Sequence, residues 1–139
     1  MSYLKNEEEV DTYIAEIFRR SMEHPAVGPK LKKAALKMRV DYTDPDTVMM
    51  VDMGSSQVLV GEAADEYPWD VALAMTADDG HKFWLGKLNF TVAMTKGKIR
   101  TKGPVTELLK LLPLAKPLFA QYEEILREDG RDDLLNVTR

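Results

Sequence analysis

The residues of this chain that could carry out chemistry are few and far apart. The 139 residues include no cysteine, which excludes disulfides, thiol nucleophiles and cysteine-based metal sites. The two histidines, His24 and His81, form neither an HxH nor an HExxH pattern, so a histidine metal site or a catalytic triad is poorly supported. His81 follows an acidic turn, and we expect it to be exposed. The sequence also has no glycine-rich phosphate-binding pattern.

Carboxylates are the other candidates for catalysis. Asp52, Asp70, Asp78 and Asp79 could in principle act as general acids or bases. Nothing in the sequence pairs them with a base of tuned pKa, and surface turns explain most of them. We therefore predict no catalytic residue, no metal site and no cofactor, and we interpret the protein as a binding protein, not an enzyme.

Basic residues are concentrated in one part of the chain. Residues 80–103 include six Lys or Arg and no Asp or Glu, although the net charge of the chain is −4. Four of the six alternate, so an extended chain places them on one side; these are Lys96, Lys98, Arg100 and Lys102. They are either lysines that protect an edge strand or a surface that faces an anionic membrane or the phosphates of coenzyme A. The acidic net charge argues against general nucleic-acid binding.

Amphipathic helices are predicted near both ends of the chain. Apolar residues repeat every three or four positions from Val10 to Phe18, and a shorter stripe runs from Leu31 to Met38. Residues 81–89 form a further predicted helix. The leucine-rich tail is helical as well, with an interruption at Pro113 because proline cannot continue the hydrogen-bond ladder.

Five strands are predicted between these helices. The first three form an antiparallel meander, because two turn signals separate alternating apolar runs. The second strand is apolar on both faces, which predicts that both faces of the sheet are covered. The predicted strands are residues 39–43, 47–53, 57–61, 69–76 and 98–102.

Side-chain size along the fourth strand favours an apolar cavity. Val71, Leu73 and Met75 point to one face, whereas the small residues Ala72 and Ala74 point to the other and leave space above the sheet. Close packing of a helix on the small face is the alternative. Six methionines in and around the strands also suit a wall that adapts to a ligand, although methionine fills ordinary cores too. These methionines stand at positions 38, 49, 50, 53, 75 and 94.

Three short motifs occur in order ahead of the leucine-rich tail. They read Asp-Val-Ala-Leu-Ala-Met-Thr-Ala-Asp over 70–78, Leu-Gly-Lys-Leu-Asn over 85–89 and Gly-Lys-Ile-Arg-Thr-Lys-Gly over 97–103. Together they resemble the sterol carrier protein type 2 domain family, with mild departures at Thr101 and Pro104. The resemblance implies a single α+β domain over residues 1–139. Its five-stranded, mostly antiparallel sheet would carry helices over one face and an apolar tunnel between them.

The same resemblance implies a function without catalysis. Such domains bind a fatty acid, a fatty acyl-CoA or a sterol-like lipid and transfer it within the cell. An accessory or dimerisation module, or a subunit of an enzyme that acts on a lipid-like substrate, remains the alternative, and the protein is a monomer or a homodimer. The acidic N-terminus lacks an apolar leader, and no apolar run is long enough to cross a membrane, so we expect a cytoplasmic protein.

The strand pattern and the leucine-rich face predict which side chains contact the lipid. We expect some or all of the following to line the tunnel: Met49, Val51, Ala72, Ala74, Trp84, Leu88, Phe90, Leu108, Leu112, Leu118 and Phe119.

Overall fold

One mixed sheet organises the chain. The computed structural model describes residues 2–137, and its strands are β1 (Lys37–Thr43), β2 (Thr47–Asp52), β3 (Gln57–Val60), β4 (Val71–Thr76) and β5 (Arg100–Lys102). Their order across the sheet is β3-β2-β1-β4-β5. Neighbouring strands are antiparallel except β1 and β4, which run parallel. The predicted α+β fold is therefore confirmed, including the crossover between the third and fourth strands.

Helices precede, interrupt and follow the sheet. The N-terminal helical segment comprises Glu7–Glu9, a π-helical stretch Val10–Ala15 and Glu16–Glu23. The other helices are Gly28–Ala34, Glu62–Asp65, Ala77–Trp84, Phe90–Thr95, Val105–Leu109 and Phe119–Glu128, and short 3-10 turns occupy Leu112–Leu114, Lys116–Leu118 and Asp132–Leu135. Within residues 2–137, no helix combines the length and the apolar character needed to cross a bilayer.

A side-chain cap determines where the helix Ala77–Trp84 begins. The Thr76 hydroxyl accepts a hydrogen bond from the backbone N–H of Asp79 at 3.1 Å, which satisfies one free donor of the first helical turn. Asp79 is consequently inside the helix and not in a turn before it. The prediction of a helix over 81–89 is corrected accordingly: the helix starts earlier and ends at Trp84.

The apolar stripe predicted from Leu31 to Met38 is divided between two elements. Ala35 adopts a left-handed conformation with φ of 53° at the end of the helix Gly28–Ala34, so the chain leaves the helix there. Met38 then lies in β1, opposite Val51 and Val71. The helical spacing of Met38 is therefore coincidental.

The fifth strand is shorter than predicted because a helix turn precedes it. At the end of the helix Phe90–Thr95, the backbone N–H of Lys98 donates to the carbonyl of Ala93 at 2.9 Å. Gly97, with φ of 75°, provides the left-handed residue that this helix ending requires. Lys96 and Lys98 thus belong to the helix end, and the strand begins at Arg100. The expectation that four alternating cations share one side of a strand is wrong.

The main helices cover one face of the sheet, and the chain between β3 and β4 covers part of the other. On this second face, the guanidinium of Arg39 contacts the Asp65 carboxylate at 2.6 Å, and the hydroxyl of Tyr67 donates to Asp52 at 2.6 Å. Two consecutive residues of β2, which point to opposite faces, are both fully buried; they are Met49 and Met50. The structure therefore confirms that both faces of this strand are covered.

Candidate functional site

An apolar cavity lies between the sheet and the helices. It has a volume of about 100 Å³, several times the space that one water molecule needs, and it is partly open to solvent. Its walls come from alternate residues of three strands, from the N-terminal helices, from the helix Ala77–Trp84 and from the chain 108–118. A cavity with such a lining favours apolar ligands, because hydrocarbon gains free energy when it leaves water for these surroundings.

The sheet wall of the cavity is formed by the larger side chains of β4, not by the smaller ones. Leu73 and Met75 line the cavity, together with their register partners Val40 and Tyr42 in β1. Because successive residues of a strand point to opposite faces, Ala72 and Ala74 face away from the cavity. The prediction that the cavity lies above the small residues of β4 is therefore wrong, because the cavity borders the opposite face of the strand.

Aromatic rings form much of the helical wall. Phe18 packs edge-to-face on Trp84 with ring centroids 5.1 Å apart, and Phe83 packs on the same indole at 5.2 Å. Phe83 also contacts Phe90 and Phe119, with centroid separations of 6.2 Å and 5.8 Å. Edge-to-face pairs of this kind fix ring orientation beyond what burial alone achieves. The aromatic wall is therefore the more rigid side of the cavity.

The chain after β5 forms a third and less regular wall. It leaves the helix Val105–Leu109 and continues as 3-10 turns that contain Pro113 and Pro117. Backbone hydrogen bonds along it span only three residues, as from Leu114 to Leu111 at 3.0 Å. Such turns are less favourable than an α-helix, so this wall is the part of the site best suited to yield when a ligand enters.

The predicted tunnel residues divide into three groups in the structure. Six line the cavity: Val51, Trp84, Phe90, Leu108, Leu112 and Leu118. Met49, Leu88 and Phe119 belong to the surrounding core without lining it. Ala72 and Ala74 lie on the other sheet face. Contact of any of these side chains with a lipid stays a prediction.

Several lining residues were not predicted from the sequence. Alternation along β1 could have identified three of them, since Met38, Val40 and Tyr42 point to one face. The helical stripe could have identified Phe18. The others from outside the predicted set are Ser21, Val27, Leu31, Met53, Leu73, Met75, Gly80, Phe83, Ile99, Leu111, Leu114 and Ala115.

Polar groups are rare in the lining, and none of the described residues that form it is charged. The hydroxyl of Ser21 donates to the carbonyl of Phe18 at 2.6 Å and is thus satisfied within its own helix. The Tyr42 hydroxyl forms no hydrogen bond with any described residue, although only 5% of this residue is exposed. Within the described part of the chain, the cavity therefore presents one phenol without a hydrogen-bond partner in an otherwise apolar wall.

His81 lies in the core, contrary to the expectation that it is exposed. It is fully buried; its Nδ1 lies 2.7 Å from the Tyr122 hydroxyl and its Nε2 lies 2.7 Å from the carbonyl of Leu134. The carbonyl can only accept, so Nε2 carries the proton and Nδ1 accepts from the tyrosine. Burial lowers the pKa of His81. The imidazole thus joins the helix Ala77–Trp84 to the C-terminal elements in its neutral form.

Three of the four carboxylates considered for catalysis form hydrogen bonds that hold local structure, and the fourth, Asp79, lies in a helix. Asp70 accepts a hydrogen bond from the backbone of Lys37 at 2.9 Å, and Asp78 accepts one from the backbone of Tyr3 at 2.8 Å. For Asp52, burial raises the pKa, but hydrogen bonds from Tyr67 and from the residue 55 backbone outweigh it, and the net pKa is lowered. Asp79 lies in the first turn of a helix. Within residues 2–137, no group of three or more His, Cys, Asp or Glu is placed to hold a metal ion.

The predicted cationic residues are exposed in a segment that adjoins the cavity. Lys96, Lys98, Arg100 and Lys102 all lie at the surface, and none forms an ion pair with a described acidic residue. Ile99, between two of them, is buried and lines the cavity. The segment 96–102, which we call the basic segment, therefore presents positive charge outward and part of the cavity wall inward.

Comparison with known proteins places this arrangement in a family. The model of the SCP-2 sterol transfer family matches residues 14–116. The fold is similar to apo sterol carrier protein 2 from Yarrowia lipolytica, with 17% identity, a TM-score of 0.60 and coverage of 84% of this chain and 94% of that one. It is also similar to palmitated SCP2L2 from Aedes aegypti, with 21% identity, a TM-score of 0.56 and coverage of 76% and 93%. A third similar structure is the ubiquinone synthesis protein UbiJ-SCP2, with 18% identity, a TM-score of 0.56 and coverage of 76% and 91%. No curated protein matches the chain.

Proposed function

Because the chain belongs to the SCP-2 sterol transfer family, we propose that it binds one lipid in the cavity between sheet and helices and transfers it without catalysis. The observation that carries this proposal is the cavity itself, which is apolar, uncharged and partly open. The candidate ligands are a fatty acid, a fatty acyl-CoA or a sterol-like lipid. The palmitated state of the similar mosquito protein supports a ligand with a long hydrocarbon chain.

The volume of the cavity implies that the walls adjust on binding. A space of about 100 Å³ is smaller than the engineered 150 Å³ cavities that take up benzene, so a longer lipid needs more room. Met38, Met53 and Met75 in the lining are unbranched and change conformation at low cost. The 3-10 turns around Pro113 and Pro117 are the backbone part best able to move.

We further propose that the basic segment docks the protein on an anionic membrane or binds the phosphates of coenzyme A. Its cations have no acidic partner among the described residues, and the adjoining helix exposes Val92, of which 46% is accessible. An exposed aliphatic group beside cations suits the surface of a bilayer with anionic headgroups. Since Phe90 and Ile99 line the cavity, docking here would bring the cavity close to the membrane.

The alternative is an accessory or dimerisation module, or a subunit of an enzyme that acts on a lipid-like substrate. It is supported by the similarity of the fold to UbiJ-SCP2, a ubiquinone synthesis protein. Native mass spectrometry of the protein purified from its own host separates the two. A bound lipid supports the transfer proposal, whereas an empty dimer supports the alternative.

A cavity-filling variant tests whether the lipid occupies this cavity. Val40→Phe in β1 extends a ring into the cavity, so we expect it to weaken binding of a fluorescent fatty acid at least tenfold while the protein remains folded. Ala115→Phe approaches from the opposite wall and should have the same effect. Ala74→Phe adds the same ring on the other face of the sheet and serves as the control. If all three variants bind like the wild type, the lipid does not occupy this cavity.

A further inference from the structure

Tyr42 occupies a special position in the cavity. Its ring lies against the helix Ala77–Trp84 at Gly80, where a Cβ atom would come within 3.0 Å of the tyrosine Cε1 and 3.6 Å of its hydroxyl oxygen. Gly80 thus leaves the space that the ring fills. Both residues line the cavity, and only 5% of Tyr42 is exposed. The phenol therefore lies in the buried interior of the site, between β1 and the helix Ala77–Trp84.

The hydroxyl of Tyr42 differs from the hydroxyls of Tyr13, Tyr67 and Tyr122. Tyr13 donates to Asp129, Tyr67 donates to Asp52, and the Tyr122 hydroxyl is hydrogen-bonded to His81. The Tyr42 hydroxyl has no such partner among residues 2–137. Every completely buried polar side-chain atom in the same part of the chain has one. The Tyr42 hydroxyl therefore keeps accessible surface, and the space beside it is the cavity that its ring lines.

The charge of the surroundings restricts what this hydroxyl can bind. Burial raises the pKa of Tyr42, so the phenol is neutral and can donate its proton in a hydrogen bond. Among residues 2–137, no Lys, Arg or His lines the cavity. An ionised carboxylate placed here would lose its hydration without gaining a counter-charge, which is costly. A neutral hydroxyl or carbonyl oxygen needs no counter-charge and accepts the hydrogen bond.

We propose that Tyr42 donates a hydrogen bond to a neutral hydroxyl or carbonyl oxygen at the inner end of the bound lipid. The inference rests on the proposed function and narrows it: the preferred ligand is an uncharged oxygenated lipid that enters with its oxygen first. A fatty acid, in contrast, leaves its carboxylate at the open side of the cavity and inserts only its hydrocarbon tail. Tyr42 is thus the residue that distinguishes lipids by whether the end bound inside the cavity carries a neutral oxygen or only hydrocarbon.

The test compares three ligands of equal chain length: dodecanol, dodecane and ionised dodecanoate. Their affinities are measured by displacement of diphenylhexatriene from the wild type and from Tyr42→Phe. We expect the variant to bind dodecanol about tenfold more weakly, the fold-change for one lost hydrogen bond in a buried site. Its affinities for dodecane and dodecanoate should be unchanged. Tyr67→Phe, which removes a hydroxyl on the other sheet face, is the control and should bind all three like the wild type.

The outcomes separate this inference from the proposed function. If the wild type binds none of the three ligands, the inference is overturned, together with the part of the proposed function that places a linear lipid such as a fatty acid in the cavity. If it binds them but Tyr42→Phe changes all three affinities equally or none of them, lipid binding stands and the role of Tyr42 is wrong. A second measurement needs no variant: in the wild-type complex, the carbinol protons of dodecanol should show nuclear Overhauser effects to the Tyr42 ring. Effects from the terminal methyl group instead would also overturn the inference.

Discussion

His81 shows how a single buried polar residue can hold the C-terminal part of the fold in place. Its two ring nitrogens reach the Tyr122 hydroxyl and the carbonyl of Leu134, which lie on two different C-terminal elements. Both partners would otherwise be buried without hydrogen bonds, at a cost of about 1–3 kcal/mol each. The arrangement requires neutral imidazole, because protonated Nδ1 cannot accept from the tyrosine.

Protonation of His81 should therefore destabilise the fold. Unfolded histidine has a pKa of about 6.5, whereas burial lowers the pKa of His81 in the folded state. Between these two pKa values the unfolded chain binds more protons. The free energy of unfolding should thus be highest above about pH 6.5 and should fall below it by up to about 1.4 kcal/mol per pH unit.

Urea unfolding of the wild type and His81→Gln at a series of pH values measures this contribution. The variant should be less stable at neutral pH, by about 1–3 kcal/mol, and should lack the additional loss on acidification. His24 is present in both proteins, so the difference between the two curves isolates His81. Parallel pH profiles would show that protonation of His81 is not linked to unfolding.

At the scale of elements, β5 and the helix before it combine two roles. β5 is at the edge of the sheet, and exposed Arg100 and Lys102 can protect that edge from pairing with another strand. The same segment carries Lys96 and Lys98 at the helix end. Edge protection needs only the charges on β5, whereas membrane docking needs all the cations of the basic segment. The two explanations can therefore be tested separately.

Reversal of charge in the basic segment should slow delivery of lipid to anionic vesicles. Each cation close to such a surface contributes about 1 kcal/mol, so Lys98→Glu with Arg100→Glu should lower the transfer rate roughly tenfold or more. Affinity for a free fatty acid should remain nearly the same. The matched control is Lys32→Glu with Lys33→Glu, which changes the net charge equally on the exposed part of the helix Gly28–Ala34.

The salt dependence of transfer provides an independent check of docking. Because charge interactions at the surface are screened beyond about 8 Å at physiological salt, wild-type transfer should decrease as salt is added, and transfer to neutral vesicles should not. If transfer responds neither to salt nor to the charge reversal, the basic segment acts only as edge protection.

At the scale of the whole molecule, the walls of the cavity differ in regularity. The sheet wall is hydrogen-bonded and the helical wall is packed with aromatic rings, whereas the remaining wall is the chain of short turns at 110–118. A ligand that fills the space between them should bind the folded state only, because the unfolded chain has no cavity. Binding and global stability are therefore linked.

Lipid should accordingly raise the free energy of unfolding. At a free ligand concentration one hundred times Kd, mass action predicts an increase of about 2.7 kcal/mol. Urea titrations of the wild type with and without a bound fatty acid measure it directly. Val40→Phe, whose affinity for the lipid should be at least tenfold lower, should gain about 1.4 kcal/mol or less under the same conditions, and Ala74→Phe should gain as much as the wild type. An equal gain in both variants would mean that the lipid binds elsewhere.

The sequence by itself determined the order of the five strands and of the longer helices, and much of the aromatic and leucine-rich wall. The short helices Glu62–Asp65 and Phe90–Thr95 were not predicted. Helical and strand periodicities are local properties, so they identified the N-terminal stripe, the five strands and the interruption at Pro113. They also led to Trp84, Phe90 and Leu108, which line the cavity. These residues lie on the apolar faces of helical elements, and such faces are buried against the sheet.

Only the tertiary structure decided which face of β4 borders the cavity and which polar groups are buried. Alternation separates Leu73 from Ala74, but the face that the helices cover depends on the parallel pairing of β1 with β4 and on helices far away in sequence. The burial of His81 likewise depends on partners 41 and 53 residues away. The Tyr42 hydroxyl has no hydrogen-bond partner because the packing of distant segments places no suitable group of residues 2–137 beside it. Local patterns determine how side chains alternate between the two faces of a strand, whereas long-range packing determines which residues each side chain contacts.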